Sequence, residues 1–273
     1  MIFLGPAGIP IASKERSSIA GIKTVKELGL NAMEVEFVRG VNMSPATADE
    51  VGEVAKEFNI RMSVHAPYFI NLCSEKKSTI EESKKRIFDS ADRAERMGAD
   101  AIAIHAAYYS GLTPQQAYEK LKEGFHDVLD KMKEKGIKNV KLGIETMGRS
   151  SQFGSLDEVI KFCKEVKGVV PYIDWAHVFV RGNGEINYSA VFDKIKILKL
   201  KHINSHFEGV KKNKKGQFVD VHVPIDNNPQ FEPLAKEVLK RKVDITIISE
   251  SPLLEQDSLK MKKILEKLGY KFE

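Results

Sequence analysis

The feature that most limits what this chain can fold into is an alternation. Eight short apolar runs of strand length are separated by longer stretches whose apolar residues recur at helical spacing. The expected strands are Ile2–Leu4, Ala32–Phe37, Arg61–His65, Ala101–His105, Lys141–Glu145, Val169–Asp174, Leu198–His206 and Asp244–Glu250. Thr113–Lys135 illustrates the helical stretches, with Ala117, Leu121, Val128, Leu129 and Met132 on one face. Ser78, Thr113 (followed by Pro114) and Ser155 read as N-caps, and the MGAD and KGIKN segments read as helix stops. Strands that alternate with helices pair in parallel, because each parallel connection needs a crossover. Eight such units in 273 residues favour closure into one α/β domain spanning residues 1–273, a (β/α)8 TIM barrel, over an open doubly wound sheet.

Several function classes fall away at this point. No GxGxxG or GxxxxGK[ST] follows any strand, which removes the usual dinucleotide and nucleoside-triphosphate sites. No apolar run approaches the roughly 20 residues of a membrane span. The opening MIFLGPAGIP reads as a strand and turn without a basic leader, so a cytoplasmic protein is expected. Cys73 and Cys163 lack metal-site or redox spacing. The net charge of +5 favours an anionic partner only mildly.

The strand ends carry the chemistry. From the third strand onward they deliver His65, His105, Glu145, Asp174 with His177, His206 and Glu250, and a basic connection adds Asp220 and His222. In a closed barrel these ends share one rim, where active sites of this fold are built. A single such residue is ordinarily a hydrogen-bonded polar group. Six strands doing the same is a different matter, because buried carboxylates cost several kcal/mol each without cations. The donor set lacks thiolates and suits zinc, manganese or iron. It exceeds what one ion needs, so two or three ions are expected, with Glu145 as a bridge. Strand seven offers both His202 and His206 on one face; His206 is preferred, and His202 is placed deeper in the barrel.

The segments HAPYFINL (65–72), IAIHAAYYSG (102–111), GIETMGRSSQFG (143–154), YIDWAH (172–177), SHFEG (205–209), DVH (220–222) and ISES (248–251) resemble, in order, those of the endonuclease IV family. These abasic-site endonucleases belong to the xylose-isomerase-like barrel superfamily. The resemblance runs nearly end to end. It implies three zinc ions: one on His65 and His105, bridged by Glu145 to a second on Asp174, His206 and Glu250, and a third on His177, Asp220 and His222. It also implies hydrolysis of the phosphodiester 5′ to an abasic site in double-stranded DNA, leaving a 3′-hydroxyl, in base excision repair. Glu145 and Glu250 would be the catalytic carboxylates. The VPIDNNPQ stretch departs from the glycine-rich segment usual after the last histidine of that family.

DNA contacts are expected from Lys211, Lys212, Lys214 and Lys215 in the long connection between strands seven and eight, which shows no helical pattern and reads as an irregular functional loop. Arg149 and Arg181 follow strands five and six on the same rim, and Tyr68 is placed to stack at the DNA surface. A monomer is expected. The competing reading within the superfamily is a sugar isomerase or epimerase with one or two divalent ions, for which Glu145, Asp174, His206 and Glu250 would suffice. A non-catalytic module with structural metals ranks lower, since closed structural sites are usually thiolate-rich.

Overall fold

In the computed structural model, which describes residues 1–272, the alternation builds a nearly closed parallel barrel. Its elements are β1 (Ile2–Pro6), α1 (Ser18–Glu27), β2 (Ala32–Glu36), α2 (Pro45–Glu57), β3 (Arg61–His65), α3 (Lys77–Met97), β4 (Ala101–Ile104), α4 (Pro114–Glu134), β5 (Lys141–Glu145) and α5 (Leu156–Glu165). They continue as β6 (Val169–Asp174), α6 (Trp175–Arg181), α7 (Tyr188–Lys196), β7 (Ile203–Phe207), β8 (Gly209–Lys212), β9 (Phe218–Val223), α8 (Phe231–Arg241), β10 (Ile245–Ser249) and α9 (Glu255–Lys267). Eight strands pair in the order β1-β10-β7-β6-β5-β4-β3-β2, while β8 and β9 form a separate antiparallel hairpin.

The barrel closes between β1 and β2 through a parallel bridge of Ala7 to Glu34 and a 2.9 Å bond from Gly8 N to Glu34 O. Glycine is required beside this seam. A Cβ at Gly5 would lie 1.7 Å from the carbonyl oxygen of Ala32, so any side chain would push the two strands apart.

Local signals set the helices. Thr113 and Ser155 each form a reciprocal capping box, with Gln116 and Glu158 respectively. Gly98 ends α3 in the left-handed conformation. The face of α4 that carries Ala117, Leu121, Phe125 and Val128 is buried against the barrel. There Phe125, Phe153 and Phe162 meet edge to face; each such ring is worth roughly 1.5–3 kcal/mol of burial.

Three expectations are corrected. Ser78 is not a cap: the chain turns at Ser74, whose hydroxyl accepts from Lys76 N, and α3 starts at Lys77 with Ser78 inside its first turn. Strand seven does not begin at Leu198. Lys199 takes a left-handed conformation just beyond the end of α7, so residues 198–202 are the approach to a strand that starts at Ile203. The connection after β7 is not irregular. Phe218, Val219, His222 and Val223 pair with GVKK, a register shift between Val210 and Lys211 leaves Asp220 and Val221 outside the pairing, and Gly216 makes the tip with a positive φ. No helix among the described residues is long and apolar enough to cross a membrane.

Candidate metal centre

Parallel pairing brings the strand ends to a common level. Glu36 pairs with His65, Glu145 with Tyr172 and Asp174 with His206. Local geometry then aims each side chain. Asp174 is the N-cap of α6, with one oxygen accepting from His177 N and the other left facing the rim. His65 places Nδ1 2.7 Å from the Ala66 carbonyl, an Nδ1–H donation that leaves Nε2 inward.

Three contiguous clusters result. His65 Nε2 and His105 Nε2 lie 3.3 and 3.1 Å from Glu145 Oε2. On its other side Glu145 offers Oε1 to His206 Nδ1 at 3.3 Å, and Asp174 and Glu250 join these two within 4.8 Å. His177 Nε2 and His222 Nε2 approach Asp220 Oδ1 at 3.2 and 3.5 Å. Donors held by one tetrahedral zinc ion at about 2.0–2.1 Å would stand roughly 3.3 Å apart. Most of the observed separations match that edge.

The pattern of orphaned atoms tests whether a cation fits. His65 Nε2, His105 Nε2, Glu145 Oε2, Asp174 Oδ2 and both carboxylate oxygens of Glu208 are buried without a hydrogen-bond partner. Buried polar atoms are rarely left so. The clusters therefore suit divalent cations, and the rim is a candidate metal centre.

Its electrostatics agree. Burial works against charge on His65, His177, His206 and His222, yet neighbouring carboxylates win. Glu36 and Glu145 hold His65 up at about 10, and Glu208 with Asp220 holds His222 at about 10. His177 and His206 are likewise pushed well above the usual histidine value, by Asp174 and by Glu250 respectively. Burial also pushes the carboxyls of Glu36 and Glu208 well up. A cation bound among these groups would displace such protons, since it takes the imidazoles neutral and the carboxyls ionised.

The other expected residues lie as follows. Tyr68 is 45% exposed at the mouth, with its ring 5.3 Å from His65 and 5.6 Å from His105. The mouth, a cavity of about 320 Å³, is lined by Tyr68, His105, Arg149, His177, Asp220 and His222 among others. Arg149 reaches Asp220 Oδ2 at 3.3 Å. Arg181 donates to the carbonyls of Arg149 and Gln152, at 2.7 and 3.0 Å, and so pins the loop after β5. Lys211 and Lys212 stand exposed on β8, and Lys214 and Lys215 on the hairpin tip. His202 lies outside the clusters: its Nε2 is 2.8 Å from Thr246 Oγ1, and burial lowers its pKa to about 3.

With this geometry in view, the family is decided by a match of residues 22–268 to the model described as xylose isomerase-like TIM barrel. The chain belongs to the xylose isomerase-like TIM barrel family. An uncharacterized protein of Methanocaldococcus jannaschii is 30% identical over 277 residues, covering 98% of each chain. A protein of Oceanobacillus iheyensis named "Probable endonuclease 4" is 29% identical over 224 residues, 77% of this chain and 71% of that one. Among solved structures, a D-tagatose 3-epimerase-like protein superposes with a TM-score of 0.73 at 18% identity, covering 96% of each chain. Endonuclease IV from Thermus thermophilus gives 0.72 at 18% identity, covering 96% of this chain and 99% of the other. At such identity these two structures bear on the fold alone.

Three further residues of the centre in this xylose isomerase-like barrel escaped the sequence reading. Glu34 and Glu36 stand on the same face of β2, and each offers an oxygen within 4.8 Å of Glu250. The signal was present: two acids two residues apart in an apolar strand point to one side. Glu208 follows β7 and is fully buried between His177 and His222. Only its place two residues after His206 could have flagged it.

Proposed function

We propose that this chain is a metal-dependent deoxyribonuclease that hydrolyses the phosphodiester 5′ to abasic sites in double-stranded DNA and leaves a 3′-hydroxyl, as in base excision repair. The observation that carries this reading is the third cluster. His177, Asp220 and His222 join a rim already furnished with His65, His105, Glu145, Asp174, His206 and Glu250. Sugar isomerisation with one or two ions has no use for so many donors. Support also comes from relatives named "Probable endonuclease 4".

In this reading the nine residues hold three divalent ions, zinc in the first instance with manganese or iron as substitutes. Such ions supply Lewis acidity toward the phosphoryl group and make water a competent nucleophile near neutral pH. The protein's own contribution is positional. Glu145 ties two clusters together through its two oxygens. Glu250 lies beside His206, at 3.7 Å, on the open side of the rim, and is the carboxylate available to orient water and take its proton. Tyr68 presents an exposed ring at the mouth, suited to stacking in the gap left by a displaced sugar. Arg149 and the four hairpin lysines contact flanking phosphates. Arg181 acts on DNA indirectly, through the loop that carries Arg149.

One observation favours a second reading, a sugar isomerase or epimerase. Glu145, Asp174, His206 and Glu250 form a self-sufficient group, beside which Glu36 stands as a further acid. A single experiment separates the two. Metal-loaded protein is incubated with an end-labelled duplex containing one tetrahydrofuran abasic analogue, which cannot undergo β-elimination. Nicking on the 5′ side that leaves a 3′-hydroxyl and is lost on chelation supports the nuclease. No cutting by folded, metal-loaded protein, together with ketose epimerisation, establishes the alternative.

A further inference from the structure

Among the described residues, Glu208 is the one carboxylate with both oxygens buried and without a hydrogen-bond partner. Its residue is fully buried, and neither Oε1 nor Oε2 has a hydrogen-bond partner. It is not held there by an accident of packing at a loop tip. Phe207 before it is buried against Phe231, and a Cβ on Gly209 after it would sit 2.3 Å from the Pro224 carbonyl, so the backbone on both sides is fixed.

Two imidazoles face it. His222 points Nδ1 at the Glu250 carbonyl, 3.3 Å away, and Nε2 at Glu208 Oε1, 3.8 Å away. His177 gives Nδ1 to the Thr146 carbonyl at 2.9 Å and keeps Nε2 on the same side as His222 Nε2. Backbone carbonyls thus hold both rings in the tautomer that leaves Nε2 free for a cation. His177, Glu208 and His222 each offer a ligand atom within 4.8 Å of the others. Asp220, by contrast, is already engaged, by both imidazoles and by Arg149.

We propose that Glu208 is a direct ligand of the divalent cation held by His177 and His222, making a four-donor site with Asp220. This rests on the metal-centre reading above, but not on DNA as the substrate. Two carboxylates and two neutral imidazoles cancel the charge of a divalent ion. Four protein donors also fill a tetrahedral site, so this ion is retained more tightly than the ion on His65, His105 and Glu145, which leaves a position open.

The test is a zinc titration of the full chain against a competing chelator, with bound metal counted by elemental analysis. Glu208→Gln, which keeps the shape of the side chain, is expected to weaken the tightest ion by about tenfold or more, since even residues that only support a ligand cost about 10–100-fold when changed. Asp220→Asn is expected to weaken the same ion, and the double variant still loses only one ion per chain. An unchanged affinity in folded Glu208→Gln, with Asp220→Asn losing an ion, overturns the proposal and leaves the metal centre standing. A wild-type chain that binds no divalent ion overturns both. Should Glu208→Gln fail to fold, cobalt(II) loaded into the native chain decides. The visible bands that His222→Ala removes will be intense for a closed tetrahedral site, and weak bands there would refute it.

Discussion

His206 Nε2 and Glu34 Oε1 lie 2.7 Å apart across the barrel, and Tyr172 donates its hydroxyl to the other oxygen of Glu34 at 2.6 Å. A carboxylate can only accept, so with Glu34 on one side and Glu145 on the other both nitrogens of the metal-free ring donate, and a cation would take the place of the Nδ1 proton. With Nδ1 given over to a cation, Glu34 and Tyr172 would keep the remaining proton on Nε2 and so fix the tautomer. Burial works to raise the Glu34 carboxyl, yet His206 brings it down to about 2.

Removing that acceptor charge tests its purpose. Glu34→Gln is expected to weaken metal binding at the Glu145–His206 cluster by about 10–100-fold, and Tyr172→Phe by less. Chelator competition with each folded variant reads this directly. Equal affinities would reduce the contact to packing.

The raised histidines give the metal-free protein a pH signature. His65 and His222, at about 10, bind protons in the fold that the unfolded chain releases near its ordinary histidine value. Their stabilisation is complete below about pH 6.5 and is lost as the pH rises through about 10. Depressed Glu34 contributes in the opposite sense, with stability lost as pH falls toward 2. Thermal melts of the chelated protein should therefore fall steadily between pH 7 and 10. The metal-loaded protein, whose imidazoles bind as neutral ligands, should lose much less, and metal uptake near pH 7 should release protons. Parallel melting curves for the two forms would contradict this.

The lysine hairpin makes a prediction about salt. If Lys211, Lys212, Lys214 and Lys215 each neutralise a phosphate, log K for abasic duplex falls with log salt by about 0.9 per contact. Changing all four to alanine should flatten that slope by up to about 3.6 while leaving bound metal unchanged. Fluorescence anisotropy over a range of salt concentrations measures it. An unaltered slope would remove the hairpin from the DNA surface.

Stability and site should also separate. Phe125 is fully buried among aromatic rings on the side of the barrel covered by α4. Phe125→Ala is expected to cost about 3–5 kcal/mol of stability by denaturant titration. The number of ions per folded chain should not change.

What was readable from residues alone follows a physical division. The barrel was legible because burial enforces periodicity along every strand and helix, and the caps at Thr113 and Ser155 are local hydrogen bonds that need no tertiary help. Strand ends were legible for the same reason, which is why His65, Glu145 and Asp174 were placed together. Strand seven was misjudged at its start because LKLKHI has the alternation of a strand, while the chain needed those residues to leave α7. Glu34 and Glu208 were missed for another reason, although the spacing of Glu34 and Glu36 in β2 was readable. Their partners, His206 for one and His177 and His222 for the other, are brought in by closure of the barrel and by the hairpin.

The hairpin of β8 and β9 is an excursion from a barrel that is complete without it. It brings Asp220 and His222 to the rim, whereas Glu145, Asp174 and His206 come from the strands themselves and Glu250 directly follows β10. Inheritance can therefore act on the two parts separately. A lineage that shortened this one connection would discard Asp220 and His222 in a single deletion and keep the other group intact. The boundary between two chemistries in such a barrel can thus be as narrow as one loop.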